Sequence, residues 1–184
     1  MRRPTRSTSG LRVLATRVAF RGDGVGGVHE TRLRFPSGAV RTWTYLIKSP
    51  FVMVLALQEN RLVLVRQHRY PQGRAWEVIK GGIERGEAPI SAAKRELREE
   101  TGFTAKRWRR LGRLMVAPGY FNQTGHVFLA QGLRAGAAQP ETNGEMLRVV
   151  MATPARVRSL LAQGGVYDSV TMAGLLLARK YFSL

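Results

Sequence analysis

Alternating apolar and polar residues near the start of the chain predict β-strands. Arg12 to Phe20 and Thr31 to Phe35 alternate in this way, and a glycine-rich stretch from Gly22 to Gly27 separates them. A third strand is predicted from Val40 to Ile47. Residues 11–50 are therefore predicted to form an N-terminal β-strand extension. The residues before it, 1–10, are basic and lack periodicity, so we expect a flexible tail.

Two apolar runs beyond residue 50 predict the core of a second domain, residues 51–184. Val52 to Leu57 and Arg61 to Gln67 are joined by a short polar link, which is typical of a hairpin buried in a sheet. More strands are expected between Leu111 and Val150, and Val127 to Ala130 is the clearest of them.

Helical patterns occur in three places. Pro89 to Thr101 has its apolar residues at helical spacing. Thr153-Pro154 opens a second helix, which ends at Gly164-Gly165, and Asp168 can cap a last helix through Tyr181. Together with the strands, these helices predict an α+β fold.

The composition restricts the chemistry that the chain can perform. It has no cysteine, which excludes disulfides, thiolate catalysis and thiolate metal ligands. Its three histidines, His29, His68 and His126, are far apart in the sequence, so a zinc site is not expected. The apolar runs are too short to cross a bilayer, and we expect a soluble, cytoplasmic protein with no membrane partner.

The net charge of +18 indicates attraction to polyanions and makes a nucleic-acid partner a hypothesis to consider. The basic residues are spread along the chain, however, and no basic repeat interleaved with aromatic residues is present. A solvated basic surface is therefore favoured over a dedicated nucleic-acid site.

The most informative feature is a group of acids in the helix predicted at Pro89 to Thr101. Glu96, Glu99 and Glu100 stand at i, i+3 and i+4, so their carboxylates lie on one face. Three like charges destabilise a helix unless a cation neutralises them, and oxygen ligands suit Mg²⁺ or Mn²⁺, which bridge to substrate phosphates. The alternative is an exposed helix whose arginines pair with these glutamates.

These acids belong to a longer spaced pattern of nine residues: Gly81, Glu87, Arg95, Glu96, Leu97, Glu99, Glu100, Gly102 and Phe103. The pattern resembles the catalytic signature of the Nudix family at every specified position, and a match of that length seldom arises by chance. The resemblance implies a Nudix fold, in which a loop–helix–loop packs on a mixed β-sheet sandwiched between helices. It also implies hydrolysis of the diphosphate in a nucleoside diphosphate linked to another moiety.

The resemblance further implies roles for individual residues. Mg²⁺ or Mn²⁺ would be bound by Glu96, Glu99, Glu100 and the backbone carbonyl of Lys80. Glu87 would brace the loop or approach the metal through water. Glu100 and Arg95 are expected to be catalytic, with Arg95 orienting a neighbouring carboxylate. The general base is expected beyond the motif, where Glu145 is favoured over Glu141. An ordinary acidic surface loop is the alternative for that segment.

Residues before the motif resemble the ADP-ribose and nucleoside-diphosphate-sugar pyrophosphatase branch of the family. They are Val65 to Pro71 and Trp76-Glu77. The resemblance favours ADP-ribose, cleaved to AMP and ribose 5-phosphate, with Arg69, Glu77 and Trp76 contacting the substrate. It also implies a homodimer formed through the N-terminal extension. A surface salt bridge is the alternative for Arg69, and a core or dimer contact is the alternative for Trp76.

The sequence departs from this branch at Lys80-Gly81, where the branch commonly has Ala-Gly preceded by proline. Lys80-Gly81-Gly82 is similar instead to Nudix enzymes that act on dinucleoside polyphosphates or diphosphoinositols. Among enzyme activities, GDP-mannose or another nucleotide sugar is the second candidate substrate, followed by dinucleoside polyphosphates and capped RNA. A non-catalytic Nudix sensor is a third class. Its usual mark is the loss of a metal-binding glutamate, whereas Glu96, Glu99 and Glu100 are all present.

Overall fold

The computed structural model describes residues 10–22, 25–136 and 148–184. The chain divides into two compact units. The first comprises Met1–Ser49 with Met115–Gln123, and the second comprises Pro50–Leu114 with Thr124–Leu184. Each unit contains its own β-sheet.

The first unit is built on three antiparallel strands: β1 (Arg12–Gly22), β2 (Val25–Arg34) and β3 (Val40–Ile47). All three were predicted, but β2 begins inside the glycine-rich stretch that was expected to separate β1 from β2. Gly27 pairs with Ile47, and a Cβ on Gly27 would lie 2.9 Å from the carbonyl oxygen of Phe20. The glycine therefore continues the strand because it allows close backbone approach.

A segment distant in sequence completes the first unit. The N–H of Leu46 donates to the carbonyl of Tyr120 at 2.8 Å, and the indole N–H of Trp43 donates to the carbonyl of Gly119 at 2.9 Å. Residues 115–123 are thus attached to β3 by both backbone and side-chain hydrogen bonds.

The second unit contains a seven-stranded sheet. Its strands are β4 (Phe51–Gln58), β5 (Arg61–Arg69), β6 (Gly73–Glu77), β7 (Ile79–Gly82), β8 (Phe103–Met115), β9 (Thr124–Ala135) and β10 (Arg148–Ala152). The order is β10-β5-β4-β9-β8, with β6 on β5 and β7 on β4. Since β4 and β9 are parallel while β4 and β5 are antiparallel, the sheet is mixed.

The strand that pairs with β4 on the β5 side of the sheet changes along the length of β4. Its first residues, Phe51 to Val54, pair with β7, whereas Leu57 and Gln58 pair with β5. The predicted β4–β5 hairpin is confirmed, but the two strands diverge, and β6 and β7 lie where they separate. The chain enters the Nudix-like motif at β7.

In the part of the chain that the structure describes, three helices cover the sheet: α1 (Pro89–Thr101), α2 (Pro154–Ala162) and α3 (Ser169–Ala178). The side chains of alternate β4 residues lie on opposite faces of the sheet. Val52 and Val54 belong to the buried cluster that includes Leu97 of α1, and a Cβ on Gly174 of α3 would lie 2.3 Å from the sulfur of Met53. Helices therefore lie on both faces of the sheet, as the resemblance implied.

The predicted caps are confirmed. The Thr153 hydroxyl accepts the N–H of Arg156 at the start of α2, and the Asp168 carboxylate accepts from Val170 and Thr171 at the start of α3. The last helix ends at Ala178, short of the predicted Tyr181. In the described residues, no helix has both the length and the apolar character needed to span a membrane.

Candidate functional site

The helix α1 holds the motif acids against the sheet. Pro89 occupies its first turn, where the missing N–H has no consequence, and Gly102 ends it with φ of 73°, the left-handed conformation that suits glycine. Ala93 and Leu97 are fully buried. Burial of the Leu97 side chain alone contributes about 1.5–3 kcal/mol. This packing fixes the rotation of the helix about its axis, so that the side carrying the carboxylates faces β7.

Arg95 connects most of the motif. Its guanidinium donates to both carboxylate oxygens of Glu87 at 3.1 Å, to Glu96 Oε1 at 2.8 Å and to Glu99 Oε2 at 2.9 Å. It also donates to the carbonyl of Gly82 at 2.8 Å. The pKa of Arg95 is raised, chiefly by the hydrogen bonds to Glu87, so the guanidinium remains charged. One side chain thus donates hydrogen bonds to three acids, compensates part of their charge and attaches the loop to the helix.

Gly81 lies directly against the carboxylate of Glu96. A Cβ at position 81 would stand 1.8 Å from Glu96 Cδ and 2.0 Å from each of its oxygens. By contrast, a Cβ on Gly82 would meet nothing within 4 Å. The first glycine of the motif is therefore required by close contact, and the backbone of β7 runs beside the helix acids.

Glu100 is the least compensated of the acids. Its Oε2 atom is buried and has no hydrogen-bond partner. Burial and the neighbouring charge of Glu96 raise the pKa of Glu100 to about 8, and Arg69 and Lys80 offset only part of this effect. A buried carboxylate whose counter-charges do not offset its burial is costly, so the position favours either a proton or a bound cation.

The oxygen-only surroundings of Glu100 fit a hard divalent cation. Across residues 10–22, 25–136 and 148–184, however, no three His, Asp or Glu side chains are grouped closely enough to hold a metal ion. The reason is that Arg95 draws Glu96 and Glu99 toward itself, while Glu100 lies near Arg69, Glu77 and Lys80. Shared coordination by all three acids would require a rearrangement of the Arg95 contacts.

A second ionic network adjoins Glu100. Buried Glu77 accepts hydrogen bonds from Gln67 at 2.7 Å and from Arg69 at 3.1 and 3.2 Å, and Lys80 Nζ lies 3.3 Å from its Oε2. Lys80 also pairs with Asp168 at the start of α3. Although burial opposes the charge of Asp168, Lys80 and the hydrogen bonds from Thr171 lower its pKa.

The structure brings together most of the predicted site residues. Glu87, Arg95, Glu96 and Glu99 share one network, and the neighbours of Glu100 include Arg69 and Glu77. Trp76 is not among them. It precedes Glu77 on β6, so its ring lies on the opposite face of the sheet, 5.8 Å below the guanidinium of Arg66. Glu141 and Glu145 lie outside the described residues.

Three members of the network around Glu77 were not identified from the sequence: Gln67, the side chain of Lys80, and Asp168 as an ion-pair partner. Asp168 had been predicted only as a helix cap. Gln67 and Lys80 carry no spacing signal of their own. The one available hint was the period of β5, which places Gln67 and Arg69 on the same side of the strand.

Comparisons with known proteins agree with this geometry. Residues 48–168 match the family model described as the NUDIX domain. The chain is 33% identical over 154 residues to an ADP-ribose pyrophosphatase of Mycobacterium tuberculosis, covering 81% of this chain and 74% of that protein. It is 35% identical over 130 residues to an ADP-ribose pyrophosphatase of Bacillus subtilis, covering 68% of this chain and 70% of that protein. A crystal structure of an ADP compounds hydrolase superimposes with a TM-score of 0.85 at 25% identity, covering 96% of both chains.

Proposed function

Because the chain belongs to the Nudix family of hydrolases, we propose that it cleaves the diphosphate of ADP-ribose to AMP and ribose 5-phosphate in a divalent-metal-dependent reaction. The observation that carries the proposal is the buried oxygen of Glu100 that has no hydrogen-bond partner, on a helix whose neighbouring acid, Glu96, lies directly against Gly81 of β7. Similarity to ADP-ribose pyrophosphatases from two bacteria supports the choice of substrate.

The motif acids would hold Mg²⁺ or Mn²⁺. Glu99 and Glu100 are the principal ligands in this proposal, and Glu96 and the carbonyl of Lys80 are the additional ones. When bound, the ion would lower the pKa of a water molecule and stabilise the leaving phosphate. Glu87, which shares Arg95 with the helix acids, would brace the loop or approach the ion through water.

The remaining residues would position substrate and proton. Arg69 donates two hydrogen bonds to Glu77, and in this proposal its guanidinium contacts the diphosphate or the terminal ribose. Glu145 would accept the proton of the attacking water, with Glu141 as the alternative. Separate Glu145→Gln and Glu141→Gln variants distinguish them, because loss of the base lowers kcat whereas loss of a surface acid does not.

The proposal is tested by a substrate panel. ADP-ribose, GDP-mannose, UDP-glucose, diadenosine polyphosphates and capped RNA are each incubated with the chain and Mg²⁺ or Mn²⁺, and products are quantified after phosphatase treatment. We expect preference for ADP-ribose, with AMP as the nucleotide product. Glu100→Gln is assayed beside the unmodified chain, and Glu84→Gln serves as its matched control because Glu84 is an exposed acid in the loop between Gly81 and Glu87 and is not one of the nine motif positions.

Other outcomes of the panel distinguish the alternatives. Preference for dinucleoside polyphosphates would agree with Lys80-Gly81-Gly82 and would change the substrate while keeping the reaction. Preference for capped RNA with a steep salt dependence would connect the activity to the net charge of +18. No turnover of any member would favour a non-catalytic sensor.

We also propose that the sheet of the first unit forms a homodimer contact. Several of its apolar side chains are exposed, and Phe20 is 62% and Trp43 47% accessible. Exposed apolar patches of this kind commonly mark interfaces. Analytical ultracentrifugation of Phe20→Lys against the unmodified chain tests this: we expect the variant to shift toward monomer, and an unchanged mass distribution would contradict the proposal.

A further inference from the structure

Four arginines line a cavity of about 570 Å³ in the second unit, away from the helix acids. They are Arg66, Arg74, Arg148 and Arg156. The cavity lies between α2 and the strands β5, β6 and β10, and Trp76 contributes to its wall. None of these arginines belongs to the networks around Glu77 and Arg95.

Strand register explains why the arginines converge. Arg66 is paired with Trp76 on one side and with Arg148 on the other, and directly paired residues of antiparallel strands share a face. Glu77 follows Trp76 and therefore faces the opposite side of the sheet. Arg156 adds a fourth charge from the first turn of α2, where the backbone also carries partial positive charge.

The charges in this cavity are not compensated by the described part of the chain. No acidic side chain there forms an ion pair with any of the four arginines, although Arg17, Arg69 and Arg95 all have carboxylate partners. The guanidinium of Arg66 is placed over the ring of Trp76 at 5.8 Å. Grouped cations repel one another, so the arrangement favours a multiply charged anion.

From these observations we propose that the cavity binds a small molecule carrying several phosphate groups. Guanidinium groups recognise phosphate through paired hydrogen bonds, and each phosphate group brings more charge than a carboxylate. Single-stranded nucleic acid is disfavoured because it needs aromatic faces on which bases stack. Trp76, the one aromatic residue among the described residues of the lining, is 9% exposed and lies under Arg66.

The test uses inorganic tripolyphosphate as the probe. Binding to the full chain is measured by isothermal titration calorimetry in EDTA, so that no divalent ion contributes. We expect one site whose affinity falls at least about tenfold in Arg148→Gln/Arg156→Gln, since each charged hydrogen bond is worth more than a neutral one. Arg61→Gln/Arg179→Gln is the matched control: it removes two exposed charges of the same unit that do not line this cavity.

Three results would overturn the proposal. An equal loss of affinity in both double variants would show unspecific attraction to a basic surface. Binding of citrate as tight as that of tripolyphosphate would show that phosphate is not recognised. Binding of an RNA oligonucleotide that is lost in Arg148→Gln/Arg156→Gln, without binding of tripolyphosphate, would assign the cavity to nucleic acid.

The outcome is independent of the proposed hydrolysis. Neither Arg148 nor Arg156 belongs to the motif, and we expect Arg148→Gln/Arg156→Gln to retain the basal rate on ADP-ribose. Circular dichroism of the variant serves to check that it is folded. A chain that hydrolyses nothing would still bind tripolyphosphate in EDTA if the proposal is correct.

Discussion

Substitution of Gly81 by alanine gives a sharp test of how the motif is packed. The added Cβ would stand 1.8 Å from Glu96 Cδ. Either the carboxylate or the β7 backbone then has to move by roughly 1 Å or more, in an interior packed about as densely as an organic crystal. Since the φ of Gly81 is not in the left-handed region, alanine introduces no backbone strain at this position, and steric overlap of the new Cβ is its direct effect.

The expected cost follows from two contributions. Overpacking of a core typically costs about 1–3 kcal/mol. Displacement of Glu96 also breaks its 2.8 Å hydrogen bond with Arg95. A hydrogen bond to a charged group contributes about 1.5–3 kcal/mol. If Glu96 moves away, the hydrogen bond is lost but part of the overlap is relieved, so the two costs do not add in full. We therefore expect Gly81→Ala to lower the free energy of unfolding by about 3 kcal/mol. For a protein of this size, this corresponds to a fall in Tm of about 6–12 °C.

The assay is thermal unfolding of Gly81→Ala and Gly82→Ala, followed by circular dichroism in EDTA. Gly82→Ala is the matched control, because a Cβ at position 82 meets nothing within 4 Å and its φ is not left-handed. We expect Gly82→Ala to change Tm by no more than about 2 °C, as surface substitutions do. Equal Tm values for the two variants would refute the contact between Gly81 and Glu96.

Three further perturbations test the ionic networks. Arg95→Lys should lower the free energy of unfolding by about 2–4 kcal/mol in urea denaturation, because an ammonium lacks the planar fork that serves three carboxylates at once; an unchanged midpoint would contradict this. The raised pKa of Glu100, about 8, predicts that Mg²⁺ binding at pH 7 releases about one proton, measured by calorimetry in buffers of different ionisation enthalpy. Loss of that release in Glu100→Gln is expected, and its persistence would assign the proton elsewhere. Asp168→Asn keeps an oxygen that can cap α3 but removes the charge facing Lys80, so it should cost about 1–3 kcal/mol at neutral pH. Because the folded-state pKa of Asp168 is lowered, this difference should be largest above the unfolded-state value of about 3.9 and disappear as the pH falls through the folded-state value; a difference independent of pH would contradict the ion pair.

The sequence predicted the elements whose residues carry a clear period. β3 and α1 were located at their observed ends, and the caps at Thr153 and Asp168 were identified because short polar side chains start helices. β6 and β7 were missed. They contain only five and four residues, include glycines, and show no alternation long enough to register as strands.

The early part of β8 was missed for a different reason. The strand begins at Phe103, whereas strands were expected only from Leu111. Its first half contains Lys106 and Arg107, and its partly buried apolar residues Phe103, Ala105 and Trp108 do not keep a two-residue period, because Trp108 comes three residues after Ala105. An alternation that covers so few residues does not identify a strand.

The candidate site was predictable where spacing along one helix determines geometry. Glu96, Glu99 and Glu100 were expected on one face from their positions alone. Which partner each acid takes was not predictable, because Arg95 reaches Glu87 only after the loop folds back, and Asp168 reaches Lys80 only after α3 packs on the sheet. Both contacts depend on tertiary packing.

The most direct test of the account is the conversion of ADP-ribose by the unmodified chain and by Glu100→Gln, with saturating Mg²⁺ or Mn²⁺ and AMP quantified by ion-exchange chromatography. We predict AMP and ribose 5-phosphate from the unmodified chain, and a rate at least about 100-fold lower from a folded Glu100→Gln variant, since the variant loses a metal ligand. Equal rates from the two proteins, or no AMP from the unmodified chain with either ion, would contradict it.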